Sequence, residues 1–180
     1  MNKKLSAALL LSLAAFASSA TAGVLSVGLK QQEHSNWCWA ASSQMVFGWF
    51  GKSYTQCSLA NYSFGINYAC GNATFYWNSN ANSPNSAQAI TQVLNAGGVS
   101  AYRTGALSQS ALQSKIDASK PFIIGWYWTS GGGHAVVVKG YSGNYVYFND
   151  PWPGNGSYTR TYSATVSASD RSWGDSMVPN

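Results

Sequence analysis

The chain has 180 residues, of which only 8% are charged, and a formal net charge of +5. That length suits one domain with a sizeable core. Beyond the first few positions its cations (Lys30, Lys52, Arg103, Lys115, Lys120, Lys139, Arg160, Arg171) are scattered. No run of them tracks a phosphate backbone, which argues against a nucleic-acid partner.

Residues 1–22 have the pattern of a signal peptide. Lys3 and Lys4 form a basic start, and Leu5 to Phe16 is an apolar stretch too short for a membrane span. Ala20-Thr21-Ala22 gives the small-x-small pattern for cleavage before Gly23. No later stretch is long and apolar enough to cross a bilayer. The expectation is an exported protein, periplasmic or secreted, whose working domain is 23–180 and which keeps no membrane span once the leader is gone. A surface built of Ser, Asn, Thr, Gly and Tyr is common in such proteins.

Three cysteines are present: Cys38, Cys57 and Cys70. In an oxidising compartment paired thiols form disulfides, and an odd count leaves one over. Cys57 and Cys70 flank a short polar and aromatic loop. Closing a loop of that size stabilises a fold by roughly 3 kcal/mol in the chain-entropy model. Pairing Cys57 with Cys70 leaves Cys38 free; the competing pair is Cys38 with Cys57.

Gly23 to Glu33 reads as an extended lead-in carrying Gln31 and Gln32. Ser35 or Asn36 is placed to cap a helix beginning near Trp37 and ending near Gly48 or Gly51. A short helix is expected after Thr55, through Cys57, Leu59 and Ala60. Asn61 to Pro84 shows no period and reads as a loop stapled by the disulfide and padded by Phe75, Tyr76 and Trp77. Ser86 caps a third helix with Ile90, Val93 and Leu94 on one face, ended by Gly97-Gly98. Ser108 starts a fourth, stopped by Pro121. The period then changes to that of strands: Phe122 to Trp128, Ala135 to Tyr141, a turn at Ser142 to Asn144, Tyr145 to Phe148, and Tyr158 to Tyr162. Helices followed by antiparallel strands make an α+β domain with the helices packed on a C-terminal sheet.

Cys38 stands between Trp37 and Trp39 at the expected helix start. Helix N-terminal N–H groups and a neighbouring imidazolium together bring a thiol pKa from about 8.5 down to roughly 3.5–7.5. Taken alone, a cysteine in an aromatic and alanine-rich helix is core filling. His134 changes that balance. It follows Gly131-Gly132-Gly133, which leave room for another backbone, and opens an apolar strand that holds it rigidly. A catalytic imidazole needs a third group to orient it. Asp150 lies near the end of the return strand, beside His134 in an antiparallel hairpin. Asn149 is the competitor, one residue away and on the opposite strand face. Gln32 is the candidate side-chain donor to a developing oxyanion, converging with the Cys38 N–H; a donor of this kind is worth roughly 3–4 kcal/mol. Gln31 would face away. His34 reads as a bystander or a cleft wall.

Gln32, Trp37-Cys38-Trp39-Ala40-Ala41, Gly133-His134-Ala135-Val136-Val137-Val138-Lys139-Gly140-Tyr141 and Asn149-Asp150-Pro151, in this order, resemble the papain-like cysteine peptidases. The likeness is to the compact bacterial branch that includes bacteriocin-leader (double-glycine) peptidases and plant-pathogen effector proteases. The resemblance implies a papain-like fold with Cys38 as nucleophile, His134 as base then acid, Asp150 as orienter and Gln32 as oxyanion donor. It implies a thiol hydrolase needing no cofactor and acting on a polypeptide. Leader peptidases of this branch are usually fused to membrane exporters. A chain with its own signal peptide is expected to have a different substrate.

Trp37, Trp39, Trp126, Trp128 and Trp152 are candidates to line the cleft, although packing is the expected role of most; Trp37 and Trp39, beside Cys38, are the candidates for substrate contact. An alternative substrate for the same triad is the peptide stem of peptidoglycan. A second alternative is an inactive peptide-binding module on the same fold, which would be expected to have lost its Cys or His. An inhibitor or immunity protein is a candidate partner. No local ligand pair such as C-x-x-C or H-E-x-x-H is present, so no metal site is expected.

Overall fold

The computed structural model describes residues 23–71, 75, 76 and 78–180. The expected leader and Trp77 lie outside the described residues. In chain order the elements are β1 (Gly23–Val24), α1 (Cys38–Trp49), α2 (Gln56–Phe64), α3 (Ala87–Ala96), β2 (Ala101–Thr104), α4 (Gln109–Asp117), β3 (Phe122–Trp128), β4 (Gly133–Ser142), β5 (Tyr145–Asp150), β6 (Gly156–Thr161), α5 (Tyr162–Val166), β7 (Ser167–Ala168) and β8 (Arg171–Pro179). The strands form one antiparallel sheet in the order β2-β8-β3-β4-β5-β6, with β1 on β4 and β7 on β8. The α+β class expected from the sequence is the one observed.

Three helix starts follow from their caps. Thr55 and Ser58 close a reciprocal capping box on α2, Ser86 accepts from the Ala89 N–H, and Ser108 accepts from the Ala111 N–H. The start of α1 differs from expectation. Its N-cap is Trp37, with no side-chain cap. Ser35 and Asn36 are both committed to Asn82. The Asn82 amide donates to Ser35 Oγ at 2.8 Å, and the Asn36 amide donates to the Asn82 carbonyl at 2.7 Å. These bonds fasten the loop before α3 to the loop before α1. They also leave the first N–H groups of α1, beginning at Cys38, without a capping oxygen.

The sheet has a core on each face, as strand alternation requires. Ile123, Ala135, Val137 and Met177 face α1, α2 and α3 and join Trp37, Trp39, Met45, Phe47 and Leu94. Ile124, Trp126, Val136, Val138, Phe148 and Val178 face the other way, where Leu112 and Ile116 of α4 cover them. Thus α4 is not part of the helical layer carrying Cys38. Three strands, β2, β7 and β8, lie where none is expected from the sequence. β8 runs between β2 and β3, yet its Arg-Ser-Trp-Gly-Asp-Ser stretch breaks both apolar alternation and β-propensity. α2 also runs to Phe64, further into the region expected to be loop.

Cys57 and Cys70 are disulfide-bonded and Cys38 is the free cysteine. No helix among the described residues is long and apolar enough to cross a membrane.

Candidate active site

Cys38 is the first residue of α1, partly exposed, and its helix is held against β4 by small side chains. Ala40 and Ala41 are fully buried. Ser42, one turn beyond Cys38, donates its hydroxyl to the Ala135 carbonyl at 3.0 Å. Ala135 directly follows His134, so this bond fixes the helix of Cys38 to the strand of His134.

The triple glycine before His134 serves two geometric needs. Gly131 (φ 92°) and Gly132 (φ 80°) take left-handed backbone in the turn from β3. At Gly133 a Cβ would lie 2.6 Å from the Trp126 carbonyl oxygen, so only glycine lets β4 approach β3 there. His134 then stands opposite Trp126 across the two strands. Trp128 stacks alongside its ring at 6.4 Å and Trp152 meets it edge-on at 6.2 Å.

His134 Nε2 is 2.7 Å from Asp150 Oδ1. With Nε2 committed to Asp150, the other ring nitrogen, Nδ1, is left to serve Cys38, which borders the same cavity as His134 and favours the charged imidazole. Burial, the largest influence on this ring, disfavours its charge. The hydrogen bonds and charges of Asp150 and Cys38 together outweigh burial, and the imidazole pKa is pushed up to about 9. Burial likewise disfavours the Asp150 carboxylate, but His134, the Trp152 N–H and Asn155 hold its pKa below the ordinary value.

Asp150 is 2% exposed and both its oxygens are filled. Oδ1 takes His134 and the Trp152 N–H (2.9 Å); Oδ2 takes the Asn155 amide (2.9 Å) and the Tyr158 hydroxyl (3.1 Å). Asn149 points the other way. Its amide donates to the Val27 carbonyl at 2.8 Å, and its oxygen accepts from Ser157. It fastens the lead-in rather than His134.

Gln32 is buried, and its backbone N–H donates to the carbonyl of Pro151, the residue after Asp150. Its amide nitrogen donates to the carbonyls of His34 (2.9 Å) and Ser35 (2.8 Å), and its amide oxygen is buried without a partner. Two carbonyl neighbours require the nitrogen on that side. Gln32 therefore braces the turn leading into Cys38. Gln31 offers its carbonyl to Gln56, a helical residue that no motif marks out. Gln56 is 1% exposed; it donates to Gln31 O at 2.7 Å and accepts from the Glu33 N–H at 2.9 Å. It clamps the lead-in on both sides of Gln32.

Trp37 has no exposed surface and donates its indole N–H to the Ala81 carbonyl at 2.8 Å. It presents nothing to a substrate and is a core residue. Trp39 is almost as buried but borders a cavity of about 210 Å³ together with Cys38, Pro84, Ala87, Tyr127 and His134. His34 packs edge-on to Trp37 at 4.3 Å, with its pKa lowered by burial against a smaller opposing effect of Glu33. It is a bystander to the chemistry. No cluster of three or more metal-ligating side chains exists among the described residues.

This arrangement, a thiol at an uncapped helix start beside an imidazole clamped by a saturated carboxylate, is that of a thiol hydrolase. A model of the Peptidase_C39-like family matches residues 24–176. The chain belongs to the Peptidase_C39-like family. As a member it is a cysteine peptidase, and the papain-like resemblance read from the sequence holds. Three solved structures show the same fold. The peptidase domain of Streptococcus ComA, a bi-functional ABC transporter involved in quorum sensing, is 18% identical, with TM-score 0.61 over 86% of this chain and 99% of that one. A C39-like peptidase from Bacillus anthracis is 17% identical, with TM-score 0.65 over 89% and 98%. A double glycine motif protease from an AMS/PCAT transporter, in complex with the leader peptide, is 21% identical, with TM-score 0.59 over 88% and 95%. No curated protein matches the chain.

Proposed function

We propose that this peptidase hydrolyses polypeptide substrates outside the cytoplasm through Cys38, His134 and Asp150. The observation that carries the reading is His134 held by Asp150 through one ring nitrogen, with Cys38, the first residue of α1, on the cavity that His134 also borders. The Cys38 sulfur attacks the scissile carbonyl carbon as a thiolate, and the imidazolium at His134 is its counter-charge. His134 gives its proton to the leaving amine as the C–N bond breaks, leaving a thioester on Cys38. Water, deprotonated by the now neutral His134, attacks the thioester. The acid leaves and the thiolate–imidazolium pair is restored.

Two donors serve the oxyanion in this scheme. One is the N–H of Cys38, which has no intrahelical acceptor at the first helix position. The other is Gln32, which exchanges one of its two backbone carbonyl partners for the substrate oxygen. A solved relative of similar fold holds a leader peptide, which favours an extended polypeptide as the substrate here. Export is supported by the leader-like residues 1–22 and by the Cys57–Cys70 disulfide, a bond of oxidising compartments.

The test is iodoacetamide alkylation of Cys38 at pH 6, followed alongside cleavage of casein, short peptides and peptidoglycan stems. One equivalent is expected to abolish hydrolysis, as does Cys38→Ala by at least about 10⁴-fold. His134→Ala is expected to slow the alkylation. Equal alkylation rates with and without His134, or hydrolysis that survives loss of Cys38, would sink the triad. Cleavage confined to peptidoglycan stems would move the substrate to the cell wall.

A further inference from the structure

A cavity of about 630 Å³ lies beside the one that Cys38 borders. Trp126, Gly133 and His134 line both this cavity and the 210 Å³ one; Cys38 borders only the smaller, Asp150 only the larger. The scheme above assigns a direction to this arrangement. The acyl fragment stays on Cys38, whereas the leaving amine must reach the His134 proton. The chain that continues from that amine therefore passes the imidazole towards the larger cavity.

The wall of that cavity is aromatic and cationic. Arg171 is 7% exposed, and its guanidinium carbon lies 4.7 Å from the Trp126 ring centre and 5.6 Å from that of Trp128. The guanidinium carbon of Arg160 lies 5.3 Å from the Tyr158 ring centre and 5.9 Å from that of Trp126. The Nε–H of each arginine is buried with no acceptor. Arg171 is paired on its far side with Asp170 at 2.7 Å, whose side chain is 57% exposed. Among the described residues no carboxylate is paired with Arg160. The one carboxylate bordering the cavity, Asp150, already takes four donors. Two guanidiniums stacked on rings at one cavity, each with a buried Nε–H that has no protein acceptor, make a wall suited to an anion. Both arginines line the cavity, where a ligand carboxylate would form charge-assisted hydrogen bonds with the guanidiniums. The planar fork of arginine fits a carboxylate better than a point charge would.

We propose that this cavity is the subsite for the amine-side fragment of the substrate, and that Arg160 and Arg171 select fragments carrying a carboxylate. The proposal rests on the peptidase reading for its direction. The carboxylate comes from one of two sources: the C-terminus of a substrate cut close to its end, or an acidic side chain just after the scissile bond.

The experiment compares peptides sharing one acyl side that the wild type cleaves. The amine side ends as a free acid or an amide in one pair, and carries Glu or Gln (both amidated) in the other. In at least one pair the acidic member is expected to show a kcat/KM about tenfold or more above its neutral partner, as one charge-assisted bond requires. Arg160→Gln is expected to bring the acidic member down to its neutral partner, and Arg160→Lys to restore only part of the difference. A preference within the acid/amide pair alone assigns the C-terminus; one within the Glu/Gln pair alone assigns the side chain. No preference in either pair, or one that survives Arg160→Gln, overturns the proposal. A binding measurement separates this failure from failure of the peptidase reading. Cys38→Ala protein is titrated with alanyl-alanine, alanyl-alaninamide, glutamic acid α-amide and glutaminamide by tryptophan fluorescence. A carboxylate preference there that Arg160→Gln removes supports the subsite even if no peptide is cut. Equal binding of all four refutes it whatever is cut.

Discussion

His134 and Asp150 are fixed almost entirely from within one stretch of strands and turns, whereas Cys38 is fixed by contacts from far along the chain. Every bond to the Asp150 carboxylate comes from residues between His134 and Tyr158, and the ring contacts of His134 are with Trp128 and Trp152. The helix of Cys38, by contrast, reaches His134's strand through Ser42 and Ala135, 93 residues apart, and its entry turn is tied to Asn82. The histidine–aspartate half is local, over-determined and dry. The cysteine half is a docking problem solved by small side chains. Damage to the first should change how His134 titrates; damage to the second should change how well the thiol meets it.

The largest effect that separates the halves is expected at Asp150. Asp150→Ala removes a hydrogen bond and a charge that both raise the His134 pKa. In the proposed mechanism the imidazolium protonates the leaving amine, so the alkaline limb of kcat/KM should fall at about 9 in the wild type and at lower pH in the variant. The rate at neutral pH should drop about 10²–10⁴-fold, by analogy with loss of the orienting carboxylate in other triads. Stability follows the same pair. His134 has a raised folded pKa, so its contribution is complete below 6.5 and lost as pH rises through about 9. Asp150 has a lowered folded pKa, so its contribution is present above 3.8 and lost as pH falls through its folded value. The Tm difference between wild type and Asp150→Ala should therefore be widest between those limits. A pH-independent difference would break the assignment.

The same contrast explains what the sequence showed and hid. Hairpin chemistry is local, so alternation placed Asp150 on His134's strand face and Asn149 on the opposite one. The Asn149 amide is indeed found on the lead-in. Gly-Gly-Gly before His134 and the Ser and Thr caps of α2, α3 and α4 were equally readable. Long-range partners were not. Nothing in Ser35 or Asn36 shows that they hold Asn82 instead of capping α1. Gln56 and Ser42 look like ordinary helical polar residues. The central strand β8 is polar and broken by Gly174, because its neighbours β2 and β3, rather than its own pattern, hold it in the sheet. The tryptophan doublet around Cys38 reads as a recognition surface, but helix packing buries Trp37 entirely. The orienters Asn155 and Tyr158 were missed, although Gly154 (φ 90°) beside Asn155 signals a turn able to fold back on Asp150.

A smaller effect sharpens the cysteine half. Ser42→Ala deletes the bond to Ala135 in a fully buried setting, at a cost of about 1 kcal/mol. Because it leaves the bond between His134 and Asp150 intact, the alkaline limb should move far less than in Asp150→Ala, while Cys38 alkylation and kcat fall together several-fold. A shifted limb with unchanged alkylation would mean that the two halves are not separately held.

The smallest effect is expected at Tyr158, and it tests whether the aspartate half is over-determined. Tyr158→Phe removes only the longest of the four bonds to Asp150, at 3.1 Å; His134, the Trp152 N–H and Asn155 remain. The ring itself, packed 5.5 Å from Phe148, is retained, so no cavity opens. Loss of one neutral donor to a carboxylate that keeps three is worth about 1 kcal/mol, a factor of about five in rate. Because Tyr158 also borders the arginine cavity, the assay should use an amidated peptide with a neutral residue after the scissile bond. The rate then reports Asp150 alone. A loss as deep as that of Asp150→Ala would show that the hydroxyl, rather than the set of four donors, holds the carboxylate in line with His134.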